Sequence, residues 1–172
     1  MKKIKFILLF VLMSCSTSKV FIDYDSKADF LKFNTFDFYE DNGNNLNDFD
    51  VKRITSIIEK ELEDAGLNYN QKPDFFIYFD TKTTENQNNN TIGIGLGTGG
   101  RNGGIGVSGG IPIGSKKLDE EISIRFINAI SNDLFWEASL TSTIKEKRTP
   151  EERILHLQKV ISEILSNYPP KK

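Results

Sequence analysis

The residue types best suited to chemistry are scarce in this chain, which has one cysteine, Cys15, and one histidine, His156. A lone cysteine cannot build an internal disulfide framework, and a lone histidine cannot build a multi-histidine metal site. A serine triad would have to use His156, which falls beside the apolar stripe of a predicted C-terminal helix. We therefore predict a packing or surface role for His156, and no catalytic or metal-binding residues.

Glycines offer a second chemistry, because Gly95, Gly97 and Gly100 have the G-x-G-x-x-G spacing of a phosphate-binding loop. Such a loop works by aiming backbone N–H groups and a helix N-terminus at phosphate. Here the glycines lead into more glycine instead of a helix, and the Walker-like run from Gly109 to Lys116 leads into a strand. The sequence therefore predicts neither a nucleotide nor another cofactor.

Three aspartates, Asp23, Asp25 and Asp29, lie close together and could suggest a cation site. They lack the glycine turn and the terminal glutamate of an EF-hand loop. Aspartate side chains also stabilise turns by accepting hydrogen bonds from nearby backbone N–H groups. Turn capping is the predicted role.

The first fourteen residues have the pattern of a secretory signal. Lys2, Lys3 and Lys5 form a basic start, and residues 6–13 are an unbroken apolar run. As a helix, this run would span about 12 Å at ~1.5 Å per residue, far less than a hydrocarbon core of roughly 30 Å. Residues 1–14 are therefore predicted to direct export and then to be removed.

A second motif overlaps the end of this signal. It reads Leu12-Met13-Ser14-Cys15 and resembles the bacterial lipobox, where the cysteine thiol receives diacylglycerol and the new amine is commonly acylated with chains such as palmitate. Lipid on Cys15 would exclude thiol chemistry, and two or three chains anchor a protein durably where one does not. The tether, residues 15–19, reaches at most ~14 Å from Ser16 to Lys19 at ~3.3 to 3.6 Å per residue, so the domain should lie close to the headgroups.

The net charge of the chain argues against one class of partner, the nucleic acids. The formal net charge is −2, and loss of the three lysines ahead of Cys15 would take it to −5. A chain without a basic stripe lacks the phosphate-neutralising charge that drives most nucleic-acid affinity. The sequence therefore predicts no nucleic-acid partner.

Hydrophobic periodicity predicts a single α+β domain over residues 20–170. The predicted strands cover residues 20–24, 35–39, 74–83, 118–128 and 134–144, with the last two forming a hairpin. The predicted helices cover residues 49–65 and the stretch from Pro150 to the stop at Pro169-Pro170. The expected architecture is a mostly antiparallel sheet with two helices packed on one face.

The helix ends carry recognisable signals. Asp48 is predicted to cap the first helix, and Gly66 suits the left-handed position after its last turn, which would bring Leu67 against Leu62. The second helix has a capping residue, a proline and a glutamate in the run Thr149-Pro150-Glu151-Glu152. Both boundaries are therefore predicted from local chemistry.

Residues 90–114, which we name the glycine-rich arm, interrupt this pattern. Apolar residues alternate there with glycine or serine, which predicts a hairpin with one apolar face and one bare face. Bare strands permit close backbone approach and pair readily with other strand edges. The residues that could contact a partner are Ile92, Ile94, Leu96, Ile105, Val107 and Ile111. An arm that docks on an envelope protein or on lipid, and a flexible excursion without a partner, are the two alternatives.

Several short pieces of the chain resemble an envelope lipoprotein family known as domain of unknown function 4136. They are Val20-Phe21-Ile22-Asp23-Tyr24-Asp25, Ala28-Asp29-Phe30, Asn34-Thr35-Phe36, Arg53-Ile54, Gly66-Leu67, Pro73-Asp74, Leu134-Phe135-Trp136, Ile164-Leu165 and Tyr168-Pro169-Pro170. Asn128 stands where an acidic residue is usual in that family. The resemblance implies an anchored periplasmic or outer-membrane domain and brings no established activity.

The expected function is a lipid-anchored, non-catalytic structural or binding module on the periplasmic face of the outer membrane. Ser16 gives no acidic retention signal, and no acidic run follows Cys15 to suggest surface export. The alternative is an accessory role in lipid or lipopolysaccharide transport, by analogy with small anchored proteins that pack two helices on a sheet. An enzyme would need carboxylates that converge in a pocket.

Overall fold

The computed structural model describes residues 19–86 and 115–170, together with the backbone of residues 91–95 and 108–112. The predicted signal segment, Cys15 and most of the tether therefore lie outside the described residues. Three of the predicted contact residues of the glycine-rich arm, Leu96, Ile105 and Val107, lie outside them as well.

The described residues form eight strands, two α-helices and one short 3-10 helix at Phe30–Lys32. The strands are β1 (Val20–Tyr24), β2 (Thr35–Phe38), β3 (Asn68–Tyr69), β4 (Phe75–Glu85), β5 (Thr91–Gly95), β6 (Ser108–Pro112), β7 (Lys117–Asn128) and β8 (Leu134–Lys145). The helices are α1 (Asp48–Asp64) and α2 (Pro150–Leu165). The α+β class is confirmed, and each predicted strand and helix is present. The ends of the strands and of α1 shift by at most two residues, whereas α2 ends at Leu165, four residues before the predicted stop at Pro169.

Six strands form one mixed sheet in the order β1-β8-β7-β4-β2-β3. The three pairings among β1, β8, β7 and β4 are antiparallel, whereas β2 runs parallel to both β4 and β3. The expectation of a mostly antiparallel sheet is confirmed, and the parallel pairings are confined to the β2 edge. The cause is α1, because a helical crossover between β2 and β4 brings the chain back in the same direction.

Both helix starts and the end of α1 follow their local signals. Asn47, not the predicted Asp48, caps α1, and its side chain accepts a hydrogen bond from the Asp50 backbone N–H. Gly66 has φ +93°, and the Leu67 backbone N–H donates to the Leu62 carbonyl at 2.9 Å, as predicted for a Schellman ending. Thr149 and Glu152 form the predicted capping box of α2.

The hydrophobic core lies between one face of the sheet and the two helices. Alternate residues of β4, β7 and β8 are buried, as expected for strands covered on one face only. Trp136 is fully buried in this layer, and the ring of Phe33 stacks on Phe135 with centroids 3.9 Å apart. The face of the sheet that packs against the helices is therefore rich in aromatic side chains, and a charged side chain on this face would be buried among apolar groups.

The glycine-rich arm contributes β5 and β6, which pair with each other as a separate antiparallel two-stranded sheet. The register places Ile92 opposite Ile111 and Gly93 opposite Gly110. The predicted hairpin pairing is confirmed for the described part of the arm.

Candidate functional site: a buried charge cluster

Three charged residues occupy positions that the sheet and helices otherwise fill with apolar side chains. Asp50 of α1, Glu120 of β7 and Arg153 of α2 are each at most 6% exposed. Asp50 precedes the buried Ile54 by one helical turn, and Arg153 precedes the buried Leu157 in the same way. The apolar stripe of each helix therefore begins with a charge, and we name these three residues the charge cluster.

Arg153 holds the charge cluster together. Its Nε donates to Asp50 Oδ2 at 3.0 Å, and its Nη1 donates to Glu120 Oε2 at 2.6 Å. Charge-assisted hydrogen bonds of this kind are shorter and stronger than neutral ones. A single guanidinium thus ties α1, α2 and β7 to one another beneath the helices.

Two further arginines border the charge cluster. Arg53 Nη1 donates to Asp50 Oδ1 at 2.8 Å, and Arg148 Nη2 lies 3.9 Å from Glu120 Oε1. Each buried carboxylate therefore has a second cationic neighbour that is partly exposed to solvent. Buried carboxylates require such partners, because an unpaired buried charge is strongly destabilising.

The electrostatics of Glu120 follow from these contacts. Burial by itself raises the pKa of a carboxyl group, but hydrogen bonds from His156 and Arg153 and the charges of Arg153 and Arg148 act in the opposite direction. The net effect lowers the pKa of Glu120 to about 2. Glu120 is therefore ionised at neutral pH and is unsuited to act there as a proton donor.

His156 lies at the edge of the charge cluster. Its Nε2 is 3.2 Å from Ser142 Oγ and 3.4 Å from Glu120 Oε2. The predicted packing or surface role of His156 did not include this contact with Ser142 and Glu120. A groove of about 330 Å³ opens beside His156 and Ser142, so solvent reaches the rim of the cluster.

Serine, histidine and a carboxylate thus occur side by side, but their arrangement differs from that of a catalytic triad. In a triad one ring nitrogen faces the serine, while the other donates to the carboxylate. Here Ser142 and Glu120 both approach the same nitrogen, His156 Nε2. Glu120 is in addition bound to Arg153. The arrangement suits a structural link between β7, β8 and α2.

Metal binding finds no support among the described residues. No group of three or more His, Cys, Asp or Glu side chains there could hold a metal ion. The aspartates considered above act on the backbone instead: Asp25 Oδ1 accepts from Lys27 N at 2.8 Å, and Asp29 Oδ1 accepts from Leu31 N at 3.3 Å. The predicted role in turn capping is confirmed for these two residues, and Asp23 accepts from the Tyr24 backbone N–H at 2.9 Å.

The described residues among those predicted to contact partners belong to a different sheet from the charge cluster. Ile92 and Ile94 lie on β5 and Ile111 lies on β6, in the separate two-stranded sheet. Cys15 is outside the described residues. Within the parts of the chain that the structure describes, neither helix is long and apolar enough to cross a bilayer.

Sequence reasoning did not find the charge cluster, although a signal was present. Each member interrupts an otherwise apolar series: Glu120 precedes Ile122 and Ile124 on the inward positions of β7, and Arg153 heads the stripe of α2. One charge at a core position can be dismissed as a boundary effect. Three such charges of mixed sign indicate a buried ion network, because each would be costly without the others.

The chain matches one family of known proteins. A profile of the family described as domain of unknown function (DUF4136) matches residues 20–170. None of the curated proteins compared with the chain matches it.

Solved structures share the fold at low sequence identity. A PDZ domain protein from Parabacteroides distasonis ATCC 8503 aligns with a TM-score of 0.59 and 18% identity; the alignment covers 90% of this chain but only 36% of the other. Two PelC dodecamer structures from Paraburkholderia phytofirmans align with TM-scores of 0.52 and 0.51 and 9% identity. They cover 87% of this chain and 95% and 96% of the other. At such identities the likeness concerns the fold alone.

Proposed function

The chain belongs to the family described as domain of unknown function (DUF4136), and from this premise we propose that it is a non-catalytic envelope lipoprotein, anchored by lipid on Cys15. The lipobox-like run that ends at Cys15 supports the anchor, because Cys15 is the only cysteine of the chain. Strand β1 begins at Val20, only five residues later. The domain would therefore work as a structural or binding module close to its membrane.

The observation that carries the non-catalytic part of this proposal is the pairing of the charge cluster. Arg153 binds both Asp50 and Glu120, so these three buried charges satisfy one another. General acid and base catalysis needs a group whose pKa lies near the working pH and that can reach a substrate. The low pKa of Glu120 and its position beneath the helices suit a fixed ion pair.

The alternative of an accessory role in lipid or lipopolysaccharide transport would need an apolar groove able to take an acyl chain. The groove beside His156 also borders Thr141, Ser142 and Lys159, so polar groups make up much of its wall. We therefore favour the structural or binding role. The periplasmic face of the outer membrane is the proposed location, because Ser16 is not an acidic retention residue.

The non-catalytic proposal can be tested with variants of the polar groups that solvent reaches. A strain that lacks the protein would be complemented with the full chain, with Ser142→Ala and with His156→Gln. All three should restore the envelope phenotype equally at equal abundance, because neither side chain is proposed to react. Loss of complementation by either variant, at unchanged abundance, would show that this polar groove takes part in the function and would contradict the proposal that neither side chain does.

The anchoring proposal needs a separate experiment in the same strain. The full chain should sediment with membranes in high salt, whereas Cys15→Ala, with the cleavable signal of a soluble periplasmic protein in place of residues 1–14, should appear in the soluble periplasmic fraction. Crosslinking in intact cells, followed by identification of bound protein and lipid, would then name the partner of the module. Membrane retention of Cys15→Ala in high salt would contradict anchoring through this residue.

A further inference from the structure

The open face of the six-stranded sheet, which the helices do not cover, contains a shallow trough. One row across four strands consists of Phe21, Ser139, Ser123 and Asp80, because each is paired with the next in the strand registers. The two serines are shorter than the residues at either end, so the surface is depressed between them. This depression has a volume of about 220 Å³, and we name it the serine trough.

Phe21 supplies the serine trough with an apolar wall. It lines the trough and is 61% exposed, whereas phenylalanine is usually among the buried residues of a domain. Directly paired side chains on one face of a sheet lie about 5 Å apart, so the ring and the Ser139 hydroxyl are neighbours. The trough therefore presents an apolar surface and a hydroxyl group side by side.

Charged side chains of both signs border the serine trough. On one side Arg125 Nε donates to Glu137 Oε2 at 3.2 Å, and on the other Ser139 Oγ donates to Glu121 Oε1 at 3.3 Å. The two carboxylates would repel an anion, whereas Arg125 would repel a cation and already neutralises Glu137. The charges therefore favour a ligand without net charge.

The hydrogen-bonding groups of the serine trough require a ligand that both donates and accepts. Carboxylates accept only, a guanidinium group donates only, and the hydroxyl groups of Ser123 and Ser139 do both. Each hydroxyl group of a sugar also does both, and hydrogen bonds to ionised partners are stronger than those between neutral groups. The C–H groups on one face of a sugar ring can cover an aromatic side chain such as Phe21. A saccharide thus matches the polar and the apolar parts together, which is the usual composition of a small-molecule site.

We propose that the serine trough binds one unit of a neutral saccharide, with its C–H face on Phe21 and its hydroxyl groups towards Ser123, Ser139 and Glu121. This inference goes beyond the proposed function, because it names a ligand class and does not depend on lipid at Cys15. The trough is open to solvent and leaves room for about one ring, so the expected dissociation constant lies in the millimolar range. Binding of this strength becomes effective where many sugar units are linked, as along a polysaccharide chain.

Nuclear magnetic resonance titration of the full chain tests this proposal. The protein would be held in micelles of a detergent without sugar headgroups, and the probes would be the methyl glycosides of glucose, galactose, mannose and N-acetylglucosamine. At least one of them should cause saturable shifts of the backbone amide signals of Phe21, Ser123 and Ser139, with a millimolar dissociation constant. Glucosamine and glucuronate, which carry a positive and a negative charge, should bind more weakly than the best neutral glycoside.

Two variants and a matched control locate the binding. Ser139→Leu fills the floor of the trough and should abolish saturable binding. Phe21→Ala should weaken binding about three- to tenfold, because it removes the aromatic contact. Thr84→Leu places the same side chain on the same face of β4 but outside the trough, and it should leave the binding unchanged.

Three outcomes would overturn the proposal. They are no saturable binding of any neutral glycoside to the folded chain, binding that Ser139→Leu leaves unchanged, and tighter binding of glucosamine or glucuronate than of the neutral probes. Urea unfolding of each variant shows that the chain is folded during the titration. None of these outcomes bears on membrane anchoring, so a failure here is distinguishable from a failure of the lipid anchor.

Discussion

The β4–β7 ladder and the β5–β6 ladder are both antiparallel, but their pairs carry different side chains. In the domain, inward residues of β4 and β7 such as Phe79 and Ile124 are fully buried under the helices. In the arm, Gly93 and Gly110 face each other, and glycine has no side chain that can pack. Backbone pairing alone is marginal for a two-stranded ladder in water. The comparison teaches that pairing alone does not imply stability, because side-chain packing stabilises the first ladder and glycine cannot supply it in the second.

The largest expected effect tests the domain side of this comparison. Arg153→Met should lower the free energy of unfolding by up to about 3–5 kcal/mol, because it removes the buried partner that Asp50 and Glu120 share and leaves them only their partly exposed neighbours. Urea unfolding at neutral pH measures this loss. Arg125→Met is the control, since Arg125 is 42% exposed and pairs with Glu137 on the open face of the sheet, where such a pair contributes about 0–1 kcal/mol. Equal losses in the two variants would mean that the charge cluster contributes no more to stability than an exposed ion pair does.

The second prediction concerns the stability of the fold at acidic pH. The folded pKa of Glu120 is about 2 and its ordinary value is 4.5, so ionised Glu120 stabilises the fold fully above pH 4.5. This contribution is lost as the pH falls from 4.5 towards 2. Integrated over that range, it amounts to at most about 3 kcal/mol. Urea unfolding as a function of pH should show this acid-dependent loss.

Glu120→Gln is the sharpest comparison for the acid prediction. Its stability should fall below that of the unaltered chain at neutral pH, and the difference should shrink as the pH approaches 2. Glu63→Gln, on the exposed side of α1, should keep the full pH dependence. A constant difference between Glu120→Gln and the unaltered chain across this pH range would rule out the assigned role of Glu120.

A smaller effect is expected at the start of α2, which carries Arg153. Thr149→Ala removes the side-chain oxygen that accepts the Glu152 backbone N–H and should cost about 1 kcal/mol. Thr149→Ser keeps a hydroxyl at the same place and should cost less. Thermal and urea unfolding measure both, and a greater loss for serine than for alanine would speak against capping.

The smallest effect is expected in the arm. Deletion of residues 90–114 should change the free energy of unfolding by less than about 1 kcal/mol, because shortening a loop alters only its closure entropy. The deleted variant should keep the same cooperative unfolding transition. A loss of several kcal/mol would show that the arm packs on the domain, which would remove the contrast between the two regions.

The sequence predicted much of this fold because many of its signals are local. The capping box at Thr149, the left-handed Gly66 and the alternation in β7 are each determined within a few residues. The parallel pairing of β2 was not predictable in the same way, because it depends on where α1 returns the chain. The charge cluster joins α1, β7 and α2, so its members could be noticed as misplaced charges but not matched to one another.

The central claim is that lipid on Cys15 holds this domain beside a bilayer, and mass spectrometry of the native protein tests it most directly. We expect an N-terminal peptide that starts at Cys15 and carries the added mass of a diacylglycerol and an amine-linked acyl chain. A free Cys15 thiol, or an N-terminus at another residue, would contradict it.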